Sequence, residues 1–139
     1  MVGRDSMTEK ELGWLAGFLE GEGSVGLRRC RKKPGYAIYL RPRIEACQVQ
    51  LEPLLKVQAL VGGWVGRKSG KRRGKQSMIN IWILQGESAA LVMRFLYPEM
   101  SMKRQTQFAR VLHAWDTRAI NRNRSNPRVN AQIRSLVFA

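Results

Sequence analysis

Two carboxylates, Glu20 and Glu22, stand two residues apart just before the most basic stretch of a 139-residue chain. Acids beside a run of cations suit metal-assisted phosphodiester chemistry, in which carboxylate oxygens hold a divalent cation and Lys and Arg hold the phosphates around it. Residues 1–27 carry two cations against five acids, a net of −3; residues 28–75 carry fourteen against two, +12; the remainder carries nine against three, +6. The total of +15 exceeds what solubility needs and points to a polyanionic partner, nucleic acid first. A protein that only binds has less use for the two acids.

The elements that must position these groups can be read from periodicity. Thr8 with Glu11, and Ser6 with Glu9, form two overlapping capping boxes, so a helix begins near residue 9 and ends near Gly21. Along it Gly13, Gly17 and Gly21 recur every fourth residue. Each costs a helix about 1 kcal/mol relative to Ala, which calls for a reason such as close approach of another backbone; a short, frayed helix is the alternative.

From Ser24 the period becomes two, with Val25 and Leu27 on one face and Gly26, Arg28 and Cys30 on the other. A basic turn, Arg31 to Gly35 with Lys32 at its tip, leads into a strand from Tyr36 to Cys47. Ile38, Leu40, Ile44 and Ala46 point inward and Tyr39, Arg41, Arg43 and Glu45 outward, while Pro42 suggests an edge or a bulge. Leu51 to Val61 is a helix offering Leu54, Leu55, Val57 and Val61 to the core, with Pro53 in its first turn and Gly62-Gly63 as its stop. A second hairpin runs Trp64 to Lys68 and Gln76 to Leu84, its basic tip including Lys71, Arg72, Arg73 and Lys75; Ile79, Ile81 and Ile83 share one face, and Met78, Asn80 and Trp82 the other. Helices follow at Ser88 to Tyr97 and Lys103 to Ile120, then a polar loop and a last short helix from Pro127 to about Val137.

This order predicts an α+β domain with one antiparallel sheet backed by helices: a single domain over 1–139, its core within 8–120 and a C-terminal loop and helix in 121–139. The sheet's outward face displays Arg28, Arg41, Arg43, Lys68 and Asn80, suited to phosphates and base edges. Cys30, Cys47 and the single His113 are too few for a structural zinc site. No apolar run reaches 18 residues and the N-terminus lacks a secretory layout, so the expectation is an intracellular protein with reduced thiols and no membrane partner.

Leu15-Ala16-Gly17-Phe18-Leu19-Glu20-Gly21-Glu22-Gly23 resembles the LAGLIDADG signature of homing endonucleases, with Phe for Leu and Glu for both Asp. The family's αββαββα order is similar to the order read here. The resemblance implies that Glu22 and the Gly21 carbonyl bind Mg²⁺ at the scissile phosphate, with Ca²⁺ supporting binding without cleavage. It further implies that Gln48, or Gln50 in its place, positions solvent, and that Lys103 assists the solvent or leaving-group chemistry. Gly13, Ala16, Gly17 and Glu20 would lie at a dimer contact, Glu20 more as a structural than a catalytic acid. One copy of the motif implies a homodimer on a near-palindromic duplex. A ten-residue strand spans ~33 Å, so each subunit covers roughly 10 base pairs and the pair roughly 20.

The residues expected at DNA are Arg28, Lys32, Tyr39, Arg41, Arg43, Glu45, Lys68, Arg72, Asn80 and Trp82, with the second hairpin's tip on backbone phosphates. Met78 and Trp82 either pack a loop or meet thymine methyls and sugars; both readings stay open. Cys30 and Cys47 are read as inert thiols, and His113 as helix packing or a solvated flank. The leading expectation is a Mg²⁺-dependent, site-specific double-strand endonuclease of a mobile element, serving intron homing and leaving short 3′ overhangs. The alternatives are an RNA-binding intron maturase and a non-cleaving DNA-binding regulator.

Overall fold

The computed structural model describes residues 3–68, 71–72, 75–76 and 78–118. After a 3-10 turn at Arg4–Ser6 come α1 (Glu9–Glu22), β1 (Gly23–Cys30), β2 (Tyr39–Gln48), α2 (Glu52–Val61) and β3 (Trp64–Arg67). The two-residue strands β4 (Lys71–Arg72) and β5 (Lys75–Gln76) follow, then β6 (Asn80–Gln85), α3 (Glu87–Leu96), a 3-10 turn at Tyr97–Glu99 and α4 (Met102–Asp116). The main sheet is antiparallel in the order β1-β2-β6-β3; β4 and β5 form a separate ribbon at the tip of the second hairpin. The loop and last helix expected for 121–139 lie outside the described residues. No described helix is long and apolar enough to cross a membrane.

Helix α1 starts where its sequence dictates. Thr8 Oγ1 accepts the Glu11 N–H at 3.1 Å and Glu11 Oε1 accepts the Thr8 N–H at 2.9 Å, closing one capping box. The Ser6 box does not form, because that hydroxyl donates to the Gly3 carbonyl instead. Leu12, Leu15, Ala16 and Leu19 bury one stripe of the helix against the sheet. The helix ends because Gly23 turns extended while its N–H caps the Leu19 carbonyl. A Cβ on Gly23 would stand 2.5 Å from that carbonyl oxygen, so close approach demands the last glycine of the signature.

In β2 the inward side chains are Leu40, Pro42, Ile44 and Ala46. Pro42 lies in a central strand rather than at an edge or bulge. Its nitrogen and carbonyl point to the same side, just past the last β2–β6 pair, Arg43 with Gln85, so no ladder bond is lost there. The Pro42 carbonyl instead accepts the Gly86 N–H at 2.9 Å. Ile38 precedes the strand and is exposed, and on α2 Leu60 rather than Leu55 reaches the core.

Strand β6 alternates as its sequence suggests, but with the faces exchanged. Trp82 and Leu84 enter the core among the helices, and Ile81 and Ile83 take the outer face with Glu45 and Cys47. Three isoleucines alone would favour the opposite choice. The indole wins because it is the larger apolar surface and because its Nε1–H finds the Gly62 carbonyl at 2.7 Å. That carbonyl is presented by the turn after α2, where Gly62 and Gly63 both have positive φ and a Cβ on Gly63 would collide with the indole. Among the described residues no polar or charged side chain is buried.

Candidate metal site and nucleic-acid face

The end of α1, the start of β1, the end of β2 and the start of α4 meet at one end of the sheet. Gly23 pairs with Ala46, so Gln48, two residues further along β2, stands at the edge where α1 stops. Helix α4 is tied to the same place. Its N-cap, Ser101, donates to the Glu20 carboxylate through its backbone N–H at 2.6 Å and its hydroxyl at 3.1 Å. Arg104, one turn on, donates to the Glu20 carbonyl at 3.2 Å and to the Gly23 carbonyl, while its Nε lies 3.5 Å from the Glu20 carboxylate. Lys103 sits between these two clasping residues, so Glu22, Gln48 and Lys103 belong to elements that converge here.

The clasp answers a need of the helix end. The last carbonyls of an α-helix lack intrahelical donors and carry partial negative charge, which a guanidinium satisfies in both respects. Ser101's N–H, then its hydroxyl and the nearby Arg104, hold the Glu20 carboxyl below its ordinary range. Glu20 makes these contacts within its own chain, with its side chain 36% exposed, and Ala16 is buried in the core. Gly13, Gly17 and Gly21 are different. All three are exposed, and a Cβ added at any of them would meet nothing within 4 Å.

Glu22 is exposed at the junction and enters no ion pair among the described residues. With the Gly21 carbonyl it offers hard oxygen donors that suit Mg²⁺ or Ca²⁺. No three His, Cys, Asp or Glu side chains converge among the described residues.

The outer face of the sheet is split. The β1–β2 half is basic, with Arg28, Arg41 and Arg43 beside Tyr39 and Glu45, around an open groove of about 500 Å³ whose lining includes Arg28, Arg43 and Glu45. Arg43 is oriented by Glu45 through Nε at 2.9 Å and a second nitrogen at 2.7 Å. Arg41 is half-buried, its guanidinium resting on Gly86, where φ is +75° and a Cβ would stand 2.5 Å from the side chain. Arg28, Lys32 and Lys68 are exposed and enter no ion pair among the described residues. The β6–β3 half is apolar, with Ile81, Ile83 and Trp64.

Two residues expected at DNA stand elsewhere. Trp82 is fully buried, for the reason given above. Asn80 pairs with Gln48 on the helix side of the sheet and donates to the Val49 carbonyl at 2.9 Å, clasping the β2–α2 connection. Arg72 lies in β4 at the hairpin tip. His113 is exposed on α4; Cys30 and Cys47 are free, partly buried thiols on the outer face. The sequence reading passed over Arg104 and Trp64. A signal for the second was available: a large aromatic two residues before Gly66 in a strand marks a close approach.

No family model matches this sequence, and no curated protein matches it either. Solved structures do match. The homing endonuclease I-CvuI, in complex with the I-CreI target, superposes with a TM-score of 0.67 at 22% identity, over 93% of this chain and 78% of that one. The archaeal intron-encoded homing endonuclease I-Vdi141I, complexed with DNA, gives 0.71 at 18% identity, over 94% and 81%. The meganuclease I-SmaMI, bound to uncleavable DNA, gives 0.67 at 17%, with 90% of this chain covering 42% of that one. This chain has the α+β fold of the LAGLIDADG homing endonucleases.

Proposed function

We propose that the chain is one subunit of a homodimeric, divalent-metal-dependent DNA endonuclease of the homing type. It cuts both strands of a near-palindromic site of roughly 20 base pairs, the span of two ten-residue strands at ~3.3 Å per residue. The observation that carries this reading is the meeting of the end of α1, the end of β2 and the start of α4, the elements that bear Glu22, Gln48 and Lys103, at one end of a sheet whose β1–β2 half is basic. It is supported by the DNA held in the I-CvuI and I-Vdi141I complexes, and by I-CvuI having been captured with uncleaved target in 2 mM Mg and with its target in 2 mM Ca.

Glu22 and the Gly21 carbonyl would hold the cation, which when bound would supply positive charge beside the phosphate. Gln48 orients the attacking water through its amide. Lys103 stabilises charge on the departing oxygen. Two independent facts favour a symmetric pair. Among the described residues no three metal-ligating side chains converge, and the exposed glycine ridge costs α1 about 1 kcal/mol per residue with no described neighbour within 4 Å to fill it. A two-fold partner packed ridge to ridge supplies both the missing donors and the close contact.

The test is a cleavage selection: a randomised duplex pool incubated with the protein in Mg²⁺, the cut ends sequenced, and Glu22→Gln run in parallel. A near-palindromic motif that vanishes with the variant is expected. Random ends, or a motif that Glu22→Gln still cuts at full rate, would overturn the reading.

A further inference from the structure

We infer that the β6–β3 half of the outer face, led by Trp64, reads the C5-methyl group of thymine in the major groove. This rests on the DNA reading above and adds a specificity determinant to it. Trp64 is 56% exposed, an unusual state for the largest apolar side chain on a sheet face that also carries three arginines. Its ring is nonetheless held in place. It lies over Gly66, where a Cβ would run into the indole, and Gly66 pairs directly with Ile81. Trp64 itself pairs with Ile83, which pairs in turn with Glu45. The result is an apolar ledge of Trp64 and the half-buried Ile83, with Ile81 buried on the same face, abutting the Arg43–Glu45 pair.

The chemistry of the occupant follows from that juxtaposition. The ledge's side chains are apolar, and the one apolar feature on the edge of a base pair in the major groove is the thymine methyl. Lys68, exposed just past β3 and of the same parity as Trp64 and Gly66, supplies charge complementary to a phosphate beside such a base. Trp82, the aromatic in which the sequence left this role open, is in the core. Trp64 takes the role because Gly66 leaves room for an indole to lie flat on the outside of the sheet.

The experiment uses the full chain and the duplex recovered from the randomised pool, with Ca²⁺ in place of Mg²⁺ so that binding alone is measured. The recovered motif should hold thymine at one symmetric pair of positions, and that preference should disappear when the selection is repeated with Trp64→Ala. Deoxyuridine in place of thymidine there should weaken wild-type binding by about fourfold per half-site, the value of one buried methyl group. It should leave Trp64→Ala binding unchanged. The deoxyuridine probe needs no variant, so the inference stays testable if Trp64→Ala folds poorly. A recovered motif with equal affinity for thymidine and deoxyuridine duplexes would overturn this inference alone; a pool yielding no motif would overturn it together with the DNA reading.

Discussion

The end of α1 and the outer face of the sheet are both charged, but their charges are managed in opposite ways. At the helix end, Ser101 and Arg104 commit their donors to Glu20 and to main-chain carbonyls, so the backbone that carries Glu22 is set before any ligand arrives. On the face, Arg43 is held by a carboxylate, whereas Arg28, Lys32 and Lys68 are exposed and enter no ion pair among the described residues. Chemistry at a phosphate tolerates little displacement, so its scaffold is cross-linked to a neighbouring helix. Contact with a long duplex is spread over many phosphates, so its side chains can adjust on binding.

If the two regions are separable in this way, damage to each should have a distinct signature. The largest effect is expected from Glu22→Gln, which should lower cleavage by more than about a hundredfold, beyond what a group supporting a metal ligand costs. Its affinity for the target in Ca²⁺, followed by gel shift, should stay near wild type. A comparable loss of binding would merge the two regions.

Arg104→Ala comes next. It removes a side chain only 16% exposed, takes the donor from two carbonyls and leaves the Glu20 carboxylate to Ser101 alone, so denaturant unfolding should show a loss of about 2 kcal/mol. Cleavage should fall about 10- to 100-fold and require more Mg²⁺, while the recovered motif stays the same. Arg104→Lys, which keeps the charge without the fork, should recover part of the loss. A changed motif would show that the clasp also shapes the reading face.

Arg43→Ala should act only on recognition. It should cost about 1–3 kcal/mol at one symmetric pair of positions, seen as a relaxed motif in the selection, with the rate on the best duplex little changed. A uniform affinity loss across sequences would mark Arg43 as a phosphate contact instead.

The smallest effect is the acid dependence of the clasp. The Glu20 carboxyl titrates below its ordinary range because it accepts from Ser101 and sits beside Arg104. Its contribution to stability is therefore complete above about pH 4.5 and is lost as pH falls through its lowered folded value. Glu20→Gln should flatten that part of the stability–pH curve; an unchanged acid limb would separate the clasp from Glu20.

Much of the molecule is legible in the sequence where the information is local. The Thr8 capping box, the Gly62-Gly63 stop, the alternation of β2 and the signature at the end of α1 all fall where a few neighbouring residues suffice to decide them. The signature also marks Glu22, and the elements that bear Gln48 and Lys103 end and begin near the close of α1. What escaped was parity and partnership. Whether Trp82 or the isoleucines of β6 face the helices depends on a carbonyl 20 residues away, at Gly62. The placement of Asn80 depends on Val49, and that of Glu20 on Ser101, 81 residues distant.

The sequence by itself determined the element order, the basic character of the middle of the chain and the carboxylate at the helix end, because charge and periodicity are properties of neighbours. Only the tertiary structure decided that the outer face of the sheet is half basic and half apolar, with Trp64 on it and Trp82 in the core. A strand with apolar residues on both faces has two nearly equivalent ways to lie, and the choice falls to the packing and hydrogen bonds of residues far along the chain.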